Sequence, residues 1–263
     1  MGLTEGLRRF THLLYIGTNL ARMHVSSYVA STINTVLWFS IVFVPTTLFS
    51  PNPLKALHVF LPGTIGFTAA ATGMWVATEF LRWYVHEGLT DMFRECGLNV
   101  FHYLVCGFHI DLITLTLVSY LAVTSLATTY LGVPITHVLP TNPLLFALAF
   151  ILAVPAYLLC GALIAYLYTV TPVGGAWTNL IQMVLIVGTI VPPKVLPNPE
   201  LALINPAVLA SELARASYGA NFIPVNTLLV LATPLALTYL ALAYIISKYC
   251  DKYIAKYGIR FRR

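Results

Sequence analysis

Charge is what this sequence has least of. Acidic and basic residues together make up 9% of its 263 positions, where a soluble domain carries about 25%. That scarcity excludes an ordinary water-soluble globule, and no polar stretch is long enough for a sizeable soluble domain. Cysteine is sparse as well. Cys96, Cys106, Cys160 and Cys250 show no C-x-x-C spacing, and three lie in or beside apolar runs. They read as small packing residues, not as a metal or disulfide framework. The seven histidines are scattered without ligand spacing, so no metal site is assigned. A G-x-x-x-x-G-K-[ST] phosphate loop is missing, which excludes ATP binding by that route. Internal repeats and low-complexity segments are missing too. The formal charge of +5 is no argument for nucleic acid. Lys248, Lys252, Lys256, Arg260, Arg262 and Arg263 crowd behind the last apolar run, which is a membrane-topology signal.

What the chain has in abundance is apolar length, at 59% hydrophobic residues. Six apolar spans are expected at residues 28–49, 56–78, 105–131, 143–170, 176–191 and 224–247. Pro155 and Pro234 fall inside the fourth and sixth, where kinks are expected. Ahead of the first span, Leu3, Leu7, Phe10, Leu13 and Leu14 gather on one side of a helix. Arg8, Arg9, His12, Asn19 and Arg22 take the other. This suits an amphipathic segment at the membrane surface, against the plainer reading of a frayed terminus. Its interrupted apolar run, without a small-residue cleavage site, does not read as a signal peptide. With six spans both termini share a side. Eleven Lys and Arg fall on that side by sequence, against Lys55, Lys194 and Arg215 opposite. Both termini are therefore expected in the cytoplasm.

The stretch Gly188 to Arg215 breaks this regularity. Pro192, Pro193, Pro197 and Pro199 stop the fifth helix because proline lacks an amide hydrogen. The apolar piece that follows is too short to span hydrocarbon, which takes about 20 helical residues. It reads as a re-entrant hairpin on the outer side, the alternative being a surface loop with a short buried helix.

Polar residues recur at helical steps in three spans. Ser27, Ser31, Asn34 and Trp38 share a face in the first, Thr64, Thr68, Ala71 and Trp75 in the second, and Asn179, Gln182, Ile186 and Thr189 in the fifth. Such stripes line a pathway or hydrogen-bond helix to helix. Asp111 is the one acid well inside a span, with His109 and His102 before it. Residues two apart do not face each other on a helix, so His109 and Asp111 make a poor metal pair. Asp111 is read either as a proton-relay residue or as a group near the cytoplasmic end, paired with a helix terminus or a basic neighbour. Between the second and third spans, Glu79, Glu87, Asp91 and Glu95 form an acidic helical face. Leu89, Met92 and Phe93 form an apolar one, suited to docking a soluble partner or to resting on lipid.

Two stretches together resemble the permease subunits of type-2 ATP-binding-cassette (ABC) exporters. Glu87, Gly88, Leu89, Asp91, Met92 and Phe93 match that family's inner Glu-Gly turn. Gly188, Pro192, Leu196 and Pro197 match its Gly-x-x-x-Pro-x-x-x-Leu-Pro, and Pro206, Glu212, Arg215, Tyr218 and Gly219 follow in the family's order. Thr often follows Glu-Gly in the family. Here Leu89 stands there and Thr90 comes next.

The resemblance implies an all-α membrane protein forming a single transmembrane permease domain over 1–263, with six transmembrane helices. It carries an N-terminal amphipathic interface helix (1–26), a cytoplasmic coupling helix (within 79–97), an outer re-entrant helical hairpin (192–219) and a basic cytoplasmic tail (248–263). It further implies a multi-pass protein of the plasma membrane that pairs with a second permease copy and two ATPase subunits. ATP and Mg would sit on those partners, with no cofactor and no catalytic residue in this chain. Ser31, Asn34, Trp38, Thr68, Trp75, Asn179 and Gln182 would border the substrate pathway. Gly188, Pro192, Leu196, Pro197, Pro206, Glu212 and Arg215 would form the outer gate. A hydrophobic or amphipathic small molecule or lipid is favoured as cargo, then a glycan. Membrane lipid is the remaining partner, and nucleic acid is not one. Two other readings stand beside this: a stand-alone channel or secondary carrier using Asp111, and an intramembrane enzyme using His102, His109 and Asp111.

Overall fold

The computed structural model describes residues 3–81, 98–171 and 174–257. Within them the chain is helical, and pairing of extended backbone is limited to an isolated bridge between Val187 and Val191. The helices are α1 (Leu3–Met23), α2 (Val25–Leu48), α3 (Pro53–Phe60), α4 (Gly63–Glu79), α5 (Val100–Leu131), α6 (Pro143–Val170), α7 (Gly174–Ile186), α8 (Pro206–Ala216) and α9 (Val225–Tyr257). Helix α5 widens to π-helical bonding over Leu112–Val118. Among the described residues, five helical stretches are long and apolar enough to cross a membrane: Val25–Thr47, Pro53–Glu79 (α3 with α4), Val100–Leu131, Pro143–Val170 and Val225–Tyr257. The chain is a multi-pass membrane protein.

Several helix starts share one local cause. Asn52, Asn142, Asn198 and Asn205 each precede a proline. Each side-chain carbonyl accepts a backbone N–H of the first turn, at 3.1 Å from Lys55, 3.1 Å from Leu145, 3.0 Å from Glu200 and 3.1 Å from Ala207. Asparagine satisfies an orphan donor, and proline at the first helical position has no donor to leave unpaired. At the opposite end of the bundle, α5 begins on a capping box of Asn99 and His102.

Helix α6 is the axis, with α4, α8, α9 and the first part of α5 packed around it. Small residues make this possible. A Cβ on Gly73 of α4 would lie 2.1 Å from the Tyr157 carbonyl of α6, and one on Gly66 would lie 2.0 Å from the Ala207 carbonyl of α8. Helices in lipid gain little from burying apolar surface, so close van der Waals approach is what holds them. Helix α1 docks on α5 in the same way, with Gly17 against the Cys106 carbonyl. That seam runs through Leu13, Gly17 and Ala21. Of the leucine-rich face expected from sequence, Leu13 packs into it, while Phe10 is exposed. Helices α2 and α7 sit at the edge of the bundle and expose Ile33, Leu37, Ile41, Leu180, Met183 and Val184.

The second expected span is two helices, parted at Leu61–Pro62. The third begins at Val100, and the sixth runs on to Tyr257 through Pro234. The fifth stops at Ile186, where Gly188 at φ +87° turns the backbone. An L side chain is disfavoured there, and its Cβ would meet Val208 at 2.6 Å.

Candidate functional site

The densest polar structure surrounds α8, whose residues from Ala207 to Ala216 are all buried. Glu212 and Arg215 lie one turn apart and form an ion pair at 2.6 Å, both side chains fully buried. Arg215 Nε donates to the Val59 carbonyl at 2.7 Å, and Nη1 donates to the Gly188 carbonyl at 3.0 Å. The other oxygen of Glu212 accepts the backbone N–H groups of Phe222 and Ile223, at 2.8 and 3.0 Å. One ion pair thus ties α3, the turn after α7, α8 and the approach to α9. Burial draws the Arg215 guanidinium below its ordinary value, and Glu212 opposes that pull. Arg215 Nη2 is buried without a hydrogen-bond partner among the described residues.

Neighbouring bonds close the same region. Ser211 Oγ donates to the Gly63 carbonyl at 3.0 Å. Asn205 Nδ2 donates to the carbonyls of Leu185 and Val187, at 3.2 and 2.9 Å, and so pins the end of α7 to the start of α8. The Tyr218 hydroxyl donates to the Val138 carbonyl at 3.0 Å and meets Tyr120. Beside the ion pair lies a hollow of ≈ 420 Å³ lined by Asn52, Lys55, His58, Tyr218, Asn221 and Phe222, among others. No family model, curated protein or solved structure matches the chain. Geometry and sequence therefore carry the reading that follows.

A second polar joint lies towards the other end. Asp111 is fully buried in α5, immediately before the π-helical stretch. Tyr28 of α2 donates to Oδ1 at 2.7 Å, and Tyr157 of α6 donates to Oδ2 at 2.6 Å. The expected pairing with a helix terminus or a basic neighbour is corrected: the partners are two phenols. Tyrosine hydroxyls satisfy the carboxylate without bringing a second charge into an apolar interior, where each ion is costly. His109 faces Thr18 of α1 at 3.1 Å, and its Nδ1 is buried without a partner among the described residues. His102 turns to Asn99 in the capping box. The three residues of the intramembrane-enzyme reading therefore serve three separate contacts. Among the described residues no cluster of His, Cys, Asp and Glu fits a metal ion.

The other expected site residues divide. Ser31, Asn34 and Trp38 on α2 are exposed, as are Trp75 on α4 and Asn179 on α7, while Gln182 is half-buried. Thr64 and Thr68 are buried within the bundle, and Thr64 Oγ1 bonds to the Leu61 carbonyl. The Phe39 and Phe67 rings, 6.4 Å apart, join α2 to α4 beside Trp38. Gly188, Glu212 and Arg215 meet at the ion-pair hub. Pro192, Leu196 and Pro206 are half-buried near it, and Pro197 is exposed. Glu87, Gly88, Leu89, Asp91, Met92 and Phe93 lie outside the described residues. Tyr28, Tyr157 and Ser211 were not singled out from sequence. Asn205 carries a signal, the Asn-Pro pair, that marks a helix start.

Proposed function

We propose that this chain is the membrane permease subunit of an ATP-driven exporter of the type its sequence resembles. The observation that carries the reading is the segment from α7 to α8. A short apolar helix breaks at Gly188 and the following prolines, and a second short helix returns buried against α4 and α6. In this reading α7 is the fifth of six spans, and its continuation through α8 is a re-entrant hairpin forming the outer gate. The bonds from Arg215 and Glu212 would let that gate move as one unit. Ser31, Asn34 and Trp38 of α2, Trp75 of α4, and Asn179 and half-buried Gln182 of α7 would border a pathway completed by a second copy of the chain. Residues around Glu87 to Phe93 would receive the motion of two ATPase subunits, which hold ATP and Mg. Both termini would lie in the cytoplasm, with the chain in the plasma membrane.

The test is purification in mild detergent from cells expressing the neighbouring genes, with partners identified and ATP hydrolysis assayed. A stoichiometric ATPase that copurifies, and whose coupling to transport is lost on replacing Glu87 and Gly88, is the expected result. A partner-free preparation without ATPase activity overturns it. The channel or carrier reading would then take its place. Asp111 favours that second reading: it is a buried carboxylate with no cationic partner among the described residues, and ionisable groups inside membranes commonly serve ion pathways.

A further inference from the structure

Helix α9 does not stop where its apolar run ends. It continues to Tyr257 and carries Lys248, Lys252 and Lys256 at steps of four, which sets them along one helical face. Each ammonium lies over a tyrosine ring: Lys248 4.6 Å from the Tyr244 centroid, Lys252 5.9 Å from Tyr249 and Lys256 5.0 Å from Tyr257. All three lysines are exposed, as are Tyr244, Tyr249 and Tyr257. The opposite face holds buried Ala243, Ser247 and Cys250. Asp251, the acid in this stretch, lies towards the packed side and accepts the Val100 N–H at 3.4 Å. Among the described residues, the exposed face therefore has cations and rings but no carboxylate.

We propose that this lysine–tyrosine ladder is a binding surface for anionic lipid headgroups. Tyrosine settles at membrane interfaces because its ring is apolar and its hydroxyl is wet. A lysine held over that ring keeps its charge at headgroup depth, and the helical step spaces three such cations along the surface. A basic stripe next to a membrane-crossing helix attracts acidic phospholipids. A generic positive-inside bias needs cations only on the correct side. It does not need them aligned on a single face with tyrosines beside them.

The full chain is reconstituted in nanodiscs of phosphatidylcholine containing phosphatidylglycerol, and retained lipids are counted by native mass spectrometry. Wild type is expected to retain phosphatidylglycerol selectively. Lys252→Gln alone should cut that retention roughly fivefold, and the triple glutamine variant should abolish it. The triple arginine variant should restore it. Lys194→Gln, at an exposed position outside the ladder, should leave it unchanged, and added salt should weaken it. The single variant decides the matter if the triple one does not accumulate. Equal retention in wild type and Lys252→Gln overturns the proposal. So does capture of an acidic soluble protein without any preference among lipids.

Discussion

Glu212 and Asp111 are both acids buried in the bundle, and they are held in opposite ways. Glu212 meets a full positive charge and two backbone amides, and its partner Arg215 reaches two further carbonyls. Asp111 meets two neutral hydroxyls from different helices. The first arrangement fixes four pieces of backbone through charge. The second joins α2, α5 and α6 through polar contacts that a neutral side chain can copy. A region built on a charge pair fails when either charge is removed. A region built on phenols fails only when the acceptor is removed.

The sharpest way to break this comparison is Arg215→Ala. It leaves Glu212 charged and buried, at a cost of about 3–5 kcal/mol. Thermal unfolding in detergent should show that loss, and Glu212→Met with Arg215→Leu should lose less than the single change. A silent Arg215→Ala would mean that the pair holds nothing together. Next comes Asp111→Ala, which leaves the buried Tyr157 hydroxyl without its acceptor at about 1–3 kcal/mol. Asp111→Asn keeps an acceptor for one tyrosine and a donor for the other, so it should cost under about 1 kcal/mol. If the asparagine variant melts as low as the alanine variant, the charge itself is structural and the contrast with Glu212 disappears. The smallest expected effect is Asn205→Ala, which removes a cap and two links to α7 for about 1–2 kcal/mol. Hydrogen exchange should then rise at the start of α8 and the end of α7 while α6 stays protected.

The contrast also separates what the sequence made legible from what it hid. The long spans were readable because apolar runs of membrane-crossing length have few other uses. An interruption after the fifth span was expected from the prolines at 192–199, but α7 ends before them, at Ile186, where Gly188 turns the backbone. Prolines carry a second message in Asn52–Pro53, Asn142–Pro143, Asn198–Pro199 and Asn205–Pro206. As breakers they end structure, yet each pair begins a helical turn here. The Glu212–Arg215 spacing was visible, but its partners were backbone carbonyls and amides, which no side-chain pattern announces. Asp111 stood out as an intramembrane acid. Its tyrosines did not, because Tyr28 and Tyr157 are far away in sequence and tyrosine is common in this chain. The polar stripe of α4 split: Thr64 and Thr68 are buried, whereas Trp75 is exposed although Met74, Ala77 and Thr78 beside it are buried.

The π-helical stretch Leu112–Val118 follows directly on Asp111. Each wide turn accommodates more residues than an α-turn, so Val100–Asp111 and Ser119–Leu131 are out of phase as if they came from two different helices. The first presents its faces to α1 and α6, and the second presents its own to α2. Removing one residue such as Ile113 would tighten the stretch and rotate one half against the other. A single codon therefore holds the angular offset between the two ends of α5.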